Sequence, residues 1–237
     1  MRGLIALVAA ASLTVHSARA QSSEHSGTGR VTGTVSLGPS VGPRKSPPRL
    51  YGSYGPGSTG GAAADTNQLE NVVIYIELAA GTDVDAARAA VPRPILQRSE
   101  AFEPHTLPVL RGSTVPFLND DPFFHNVFSL SRARTFDLGR YPKGTSKNVT
   151  FSKPGVVQIF CHIHAGMSAV VLVLDNPFFA VPDNAGHFEI GDVPPGNHRI
   201  VAWHERTGPV SRPLVVRPGE ATVVDFRLPT AVESSAK

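Results

Sequence analysis

Two apolar runs separated by eight residues restrict this chain more than anything else in it. Val156-Val157-Gln158-Ile159-Phe160 and Ala169-Val170-Val171-Leu172-Val173-Leu174 each have the length and the β-branched content of a buried strand. Between them run Cys161-His162-Ile163-His164-Ala165-Gly166-Met167-Ser168. A connection this short returns the second strand beside the first, so the pair belongs to an antiparallel sheet with its loop at one end.

The rest of the chain continues in the same manner. Gly (22) and Pro (21) are frequent in the 237 residues, which favours short strands and many turns in one or two compact domains. Strand patterns occur at 30–37, 71–78, 102–104, 107–110, 114–119, 127–130 and 147–151, with 137–143 reading as a polar loop. Beyond Asp175 four more follow, around 178–181, 186–190, 198–203 and 221–226, separated by Pro/Gly turns such as Val193-Pro194-Pro195-Gly196. A short helical turn is expected at 83–90, ended by Pro92 and Pro94. Residues 38–66 are dense in Gly, Pro and Ser and read as a flexible excursion, while 21–29 and 231–237 read as loose ends. The expected fold is all-β, built from packed sheets.

Residues 1–20 combine Arg2, an apolar run from Leu4 to Leu13 and a closing Ala18-Arg19-Ala20, the pattern of a secretory signal peptide. The expectation is a periplasmic or secreted protein with no later membrane span. Removing that leader takes Arg2 and Arg19 from a net charge of only +3, and no basic, aromatic-interleaved stretch points to nucleic acid. In an oxidising compartment the single cysteine, Cys161, has no partner for an internal disulfide.

A thiolate, an imidazole and a thioether at 161, 164 and 167 therefore read as a donor set. A His₂Cys group with a weak axial Met is the pattern of electron-transfer copper, and His125, in Asp121-Pro122-Phe123-Phe124-His125-Asn126, offers the second imidazole. His162 adjoins Cys161 and should point away from such a site. His105, His187, His198 and His204 lack ligand spacing and read as solvated or structural. Phe123, Phe124 and Phe160 are candidates for a dry surround.

Two resemblances extend this reading. From about Gln97 to Leu174, the segment Gly112-Ser113-Thr114-Val115-Pro116-Phe117-Leu118-Asn119, then His125-Asn126-Val127-Phe128, then Cys161-x-x-His164-x-x-Met167 resembles the cupredoxins, with amicyanin-like loop spacing. The resemblance implies one type 1 copper site with His125, Cys161 and His164 equatorial and Met167 axial. It also implies that Asn126 ties the two ligand-bearing loops together. Val31-Thr32-Gly33-Thr34-Val35, the 183–188 segment and Val193-Pro194-Pro195-Gly196-Asn197-His198 resemble a carboxypeptidase-regulatory or transthyretin-like β-sandwich. Together they imply a cupredoxin Greek-key β-sandwich over 81–175, inserted in or packed against a second sandwich made from 30–80 and 176–230. Periplasmic methylamine-utilisation-like proteins are similar throughout. The function so implied is one-electron transfer between redox protein partners, without enzymatic catalysis. Copper binding or trafficking without electron turnover is the alternative, and an interaction module with an incidental copper site is another.

Overall fold

The computed structural model describes residues 27–38, 68–82 and 92–229. The expected leader, the body of the 38–66 excursion, the helical turn at 83–90 and the tail at 231–237 lie outside the described residues. In chain order the elements are β1 (Gly29–Leu37), a 3-10 turn (Gln68–Asn71), β2 (Val73–Glu77), β3 (Ile95–Arg98), β4 (Ala101–Glu103), β5 (Thr106–Leu110), β6 (Thr114–Asn119), β7 (His125–Ser131), β8 (Arg134–Tyr141) and β9 (Ser146–Thr150). They continue as β10 (Gly155–Phe160), β11 (Ser168–Leu174), β12 (Phe179–Ala180), β13 (His187–Val193), β14 (Gly196–His204), β15 (Gly208–Val216), β16 (Ala221–Val223) and β17 (Phe226–Leu228). The protein is all-β.

These strands form four sheets. One runs β5-β11-β10-β7-β8 and faces another, β4-β3-β6-β9. Their shared core holds Ile95, Phe117, Val127, Phe151, Val157, Ile159 and Val171. The third runs β12-β2-β14-β15 and faces the fourth, in which β1 lies between β13 and β16 and also pairs with β17. Val31, Ile74, Ile76, Ile200, Leu214 and Leu228 fill that second core.

Strand β11 joins the two sandwiches. Ala169, Val171 and Val173 point into the first core, whereas Val170, Leu172 and Leu174 pack with Val73 of β2 and Trp203 of β14. Both faces of β11 are thus buried, which is why its sequence is apolar without alternation. The antiparallel register with β10 runs from Gly155↔Val173 to Phe160↔Ser168 and leaves the 161–167 loop at one end of the sheet.

Several elements differ from the sequence reading. The polar loop expected at 137–143 is largely strand β8, at the edge of its sheet. Only Phe136, Leu138 and Tyr141 turn toward the core, so its outward residues read as loop. Strand β15 carries Pro209 and Pro213, which an edge strand paired on one side tolerates. The strand pattern at 71–78 narrows to β2, because a 3-10 turn takes its first residue. Gly33 has a packing reason: a Cβ there would fall 1.9 Å from the Val224 carbonyl oxygen.

Candidate metal centre

The loop after β10 closes on itself. Cys161 N–H donates to the Met167 carbonyl (3.3 Å) and Met167 N–H to the His164 carbonyl (3.0 Å), so the side chains at 161 and 164 emerge from one short ring of backbone. Cys161 is buried, and His125, at the start of β7, is fully buried beside it. His125 Nδ1 lies 3.1 Å from His164 Nδ1, and Cys161 Sγ lies 3.9 Å from each of them. The sequence reading had to bring together residues 36 positions apart; the structure does so, and His125, Cys161 and His164 form a compact donor group.

This triangle fits a first-row ion. Bonds of about 2.0–2.1 Å to imidazole nitrogen and about 2.3 Å to thiolate sulfur place donors about 3–4 Å apart around one centre. One thiolate with two imidazoles is the donor chemistry that suits copper. Met167 is also buried, in the same core as Cys161, with its backbone closing the loop.

Behind His125 stands a residue the sequence reading did not single out. Asp121 Oδ2 accepts from His125 Nε2 at 2.8 Å, which puts the ring proton on Nε2 and turns the Nδ1 lone pair toward Cys161 and His164. Asp121 is itself fixed by the two-residue turn between β3 and β4. Ser99 N–H donates to its Oδ1 (2.7 Å) and Glu100 N–H to its Oδ2 (3.0 Å). Both turn residues have positive φ, 53° and 58°, a conformation that costs non-glycine residues about 1–2 kcal/mol each. Asn119 straps the segment from the other side, accepting from Asp121 N–H and donating to the Phe123 and Tyr141 carbonyls. Burial by itself would raise the Asp121 carboxyl, but the hydrogen bonds from Glu100, His125 and Ser99 outweigh it and hold the group below its ordinary value. An acid four residues before the histidine, in so short a loop, was the available signal.

His164 sits nearer the surface. Burial lowers its basicity, and although Glu100 opposes the shift the net direction is down, favouring the neutral imidazole that a metal requires. Phe123 packs against both imidazoles, with ring centroids 5.1 Å from His125 and 5.6 Å from His164. Phe124 is exposed, and Phe160 contacts Phe128 rather than either histidine.

Asn126 departs from the implied role. Its Nδ2 donates to Asp137 Oδ1 (2.6 Å) on neighbouring β8, and its buried Oδ1 has no partner, so no side-chain bond to the 161–167 loop is made. The irregular β7–β8 register between Asn126 and Phe128 is where this side chain meets β8. His162 stacks on Phe128 at 3.8 Å, outside the donor group. Among the remaining histidines, His198 is buried, accepting from Ala79 N–H at Nδ1 and donating to the Pro194 carbonyl at Nε2. His204 is buried, His187 pairs with Asp183, and His105 pairs with Glu205.

No family model and no curated protein matches the chain. Solved structures similar to it include a Cu-containing nitrite reductase from Thermus scotoductus SA-01, at 23% identity over 43% of this chain, TM-score 0.35; the match spans 26% of the reductase. A mutant amicyanin in its Cu(I) form matches 43% of this chain and 98% of its own at 21% identity, TM-score 0.33. A purple cupredoxin from Nitrosopumilus maritimus matches 43% of this chain and 97% of its own at 24% identity, TM-score 0.29. The functional reading therefore rests on the site's own geometry. Among the described residues no helix is long and apolar enough to cross a membrane.

Proposed function

We propose that this chain is an exported type 1 copper protein that carries single electrons between redox protein partners. His125, Cys161 and His164 are its principal ligands and Met167 the weak axial one. The observation that carries the reading is the donor triangle of two Nδ1 atoms and one Sγ, spaced 3.1 and 3.9 Å. Copper bound there supplies a one-electron couple that thiolate and imidazole donors accept in either oxidation state.

The chain's own residues make that couple cheap to operate. Asp121 fixes the tautomer and orientation of His125, and the backbone ring of residues 161–167 fixes Cys161 and His164. Burial of Cys161 keeps oxidants from the sulfur. Phe123, itself exposed on its outer face, packs against both imidazoles. Donors held this way move little when charge changes, and a carrier needs that property more than a store does. In the same proposal residues 1–20 direct export, 81–175 form the cupredoxin-type unit, and 30–80 with 176–230 form a transthyretin-like sandwich that frames it.

The test is Cys161→Ser. It should abolish the intense thiolate-to-copper visible band while the far-UV signature of the β fold persists. A visible spectrum unchanged by the substitution would overturn the ligand assignment.

A further inference from the structure

The second sandwich reaches the ligand loop through a pair of side chains. Glu205 lies in the tight turn between β14 and β15, a turn closed by Thr207 N–H to the His204 carbonyl (3.2 Å). Its Oε2 stands 2.8 Å from Nε2 of His105, and Nδ1 of His105 stands 2.9 Å from the carbonyl oxygen of Ser168. The His105 carbonyl in turn accepts from Val170 N–H at 2.7 Å. Ser168 directly follows Met167 and begins β11. One histidine thus grips both ends of the chain's exit from the ligand loop, and a carboxylate of the other sandwich grips the histidine.

We propose that Glu205 and His105 are positioning residues through which the second sandwich braces the exit of the 161–167 loop, and with it Met167. Hydrogen-bond valence favours a specific brace over a chance contact. Both ring nitrogens of His105 stand at hydrogen-bond distance from an oxygen, one on each sandwich, which orients the imidazole from each side. The two side chains are 21% and 22% exposed, sheltered enough for a hydrogen bond between them to count. The brace also sits beside the buried contact in which Val170 and Leu172 of β11 pack with Trp203, two residues before Glu205, so that interface fixes where Glu205 can stand. The inference rests on the copper reading for its consequence, but the brace itself is a property of the metal-free protein.

The experiment uses the full chain with Glu205→Ala, Glu205→Gln, His105→Ala and the double alanine variant. Two quantities are read: the rate of copper loss to excess chelator, and amide hydrogen exchange of residues 161–170 in the apo protein. Glu205→Ala should speed copper loss about two- to tenfold, the worth of one hydrogen bond, and His105→Ala, which removes two, should speed it by at least as much. Each should also speed exchange in the loop while β2 and β14 stay protected. Because Glu205 acts through His105, the double variant should be no worse than His105→Ala, and Glu205→Gln, which keeps an acceptor, should recover most of the loss. Effects that add in the double variant, or wild-type exchange and copper loss in Glu205→Ala, would overturn the brace. If His105→Ala does not fold, the contrast between Glu205→Ala and Glu205→Gln decides alone. A wild-type protein that binds copper without colour would defeat the copper reading, and apo-protein exchange would still decide the brace.

Discussion

Replacing Asp121 by alanine tests how the centre is held before any metal enters. Asp121 accepts from Ser99 N–H, Glu100 N–H and His125 Nε2–H. His125 is 0% exposed, so its orphaned Nε2–H cannot turn to water, and a buried donor left unpaired costs about 1–3 kcal/mol. Ser99 and Glu100 are exposed, so their N–H groups rehydrate and add only about 0.5–1 kcal/mol each. The total is about 2–5 kcal/mol, and a chain of this size loses about 2–4 °C of Tm per kcal/mol, so the unit holding the site should melt about 4–20 °C lower. Calorimetry of the apo protein reads this directly. The neighbouring Asp120→Ala is the control, because its pair with Arg98 (2.8 Å) is half-exposed and worth at most about 1 kcal/mol. A fall below about 2 °C for Asp121→Ala, or equal falls for both variants, would refute the reasoning.

Other outcomes follow from the same structure. Asp121 has a folded pKa below its unfolded value, so its stabilisation is complete above the ordinary carboxylate range and is lost as pH falls through the folded value. The stability gap between wild type and Asp121→Asn in urea melts should therefore be larger at pH 7 than at pH 2. If Met167 is the weak axial donor proposed above, Met167→Leu should keep copper and raise the reduction potential; voltammetry showing a fall would remove Met167 from the ligand set. Trp203→Ala should cost about 3–5 kcal/mol by opening the contact between the sandwiches, seen as a lowered calorimetric transition. Gly33→Ala should destabilise strongly, because its Cβ would meet the Val224 carbonyl oxygen at 1.9 Å and β1 would have to shift; soluble yield and Tm report it.

What the sequence disclosed depended on how local each signal was. Cys161, His164 and Met167 fall three residues apart in one short loop between two unmistakable strands, so their spacing was readable. His125 became readable through the run of residues around it. Asp121 was not singled out, because its importance depends on a turn made by Ser99 and Glu100, some twenty residues earlier, and no local pattern marks two ordinary residues at positive φ. The His105–Glu205 pair spans 100 positions and was equally hidden. Strand β8 escaped because edge strands present polar side chains outward, and β15 because its prolines read as breakers. Asn126 shows the opposite failure. The residue matches a pattern, but its side chain bonds to Asp137 instead of to the other ligand loop.

The central claim is tested most directly by titrating the full chain with Cu(II), recording the visible spectrum, and then adding ascorbate. One equivalent of copper should raise an intense blue or green thiolate-to-copper band that bleaches on reduction and returns on reoxidation. A stoichiometric but nearly colourless complex would mean that copper binds without a bond to Cys161, and would contradict the account.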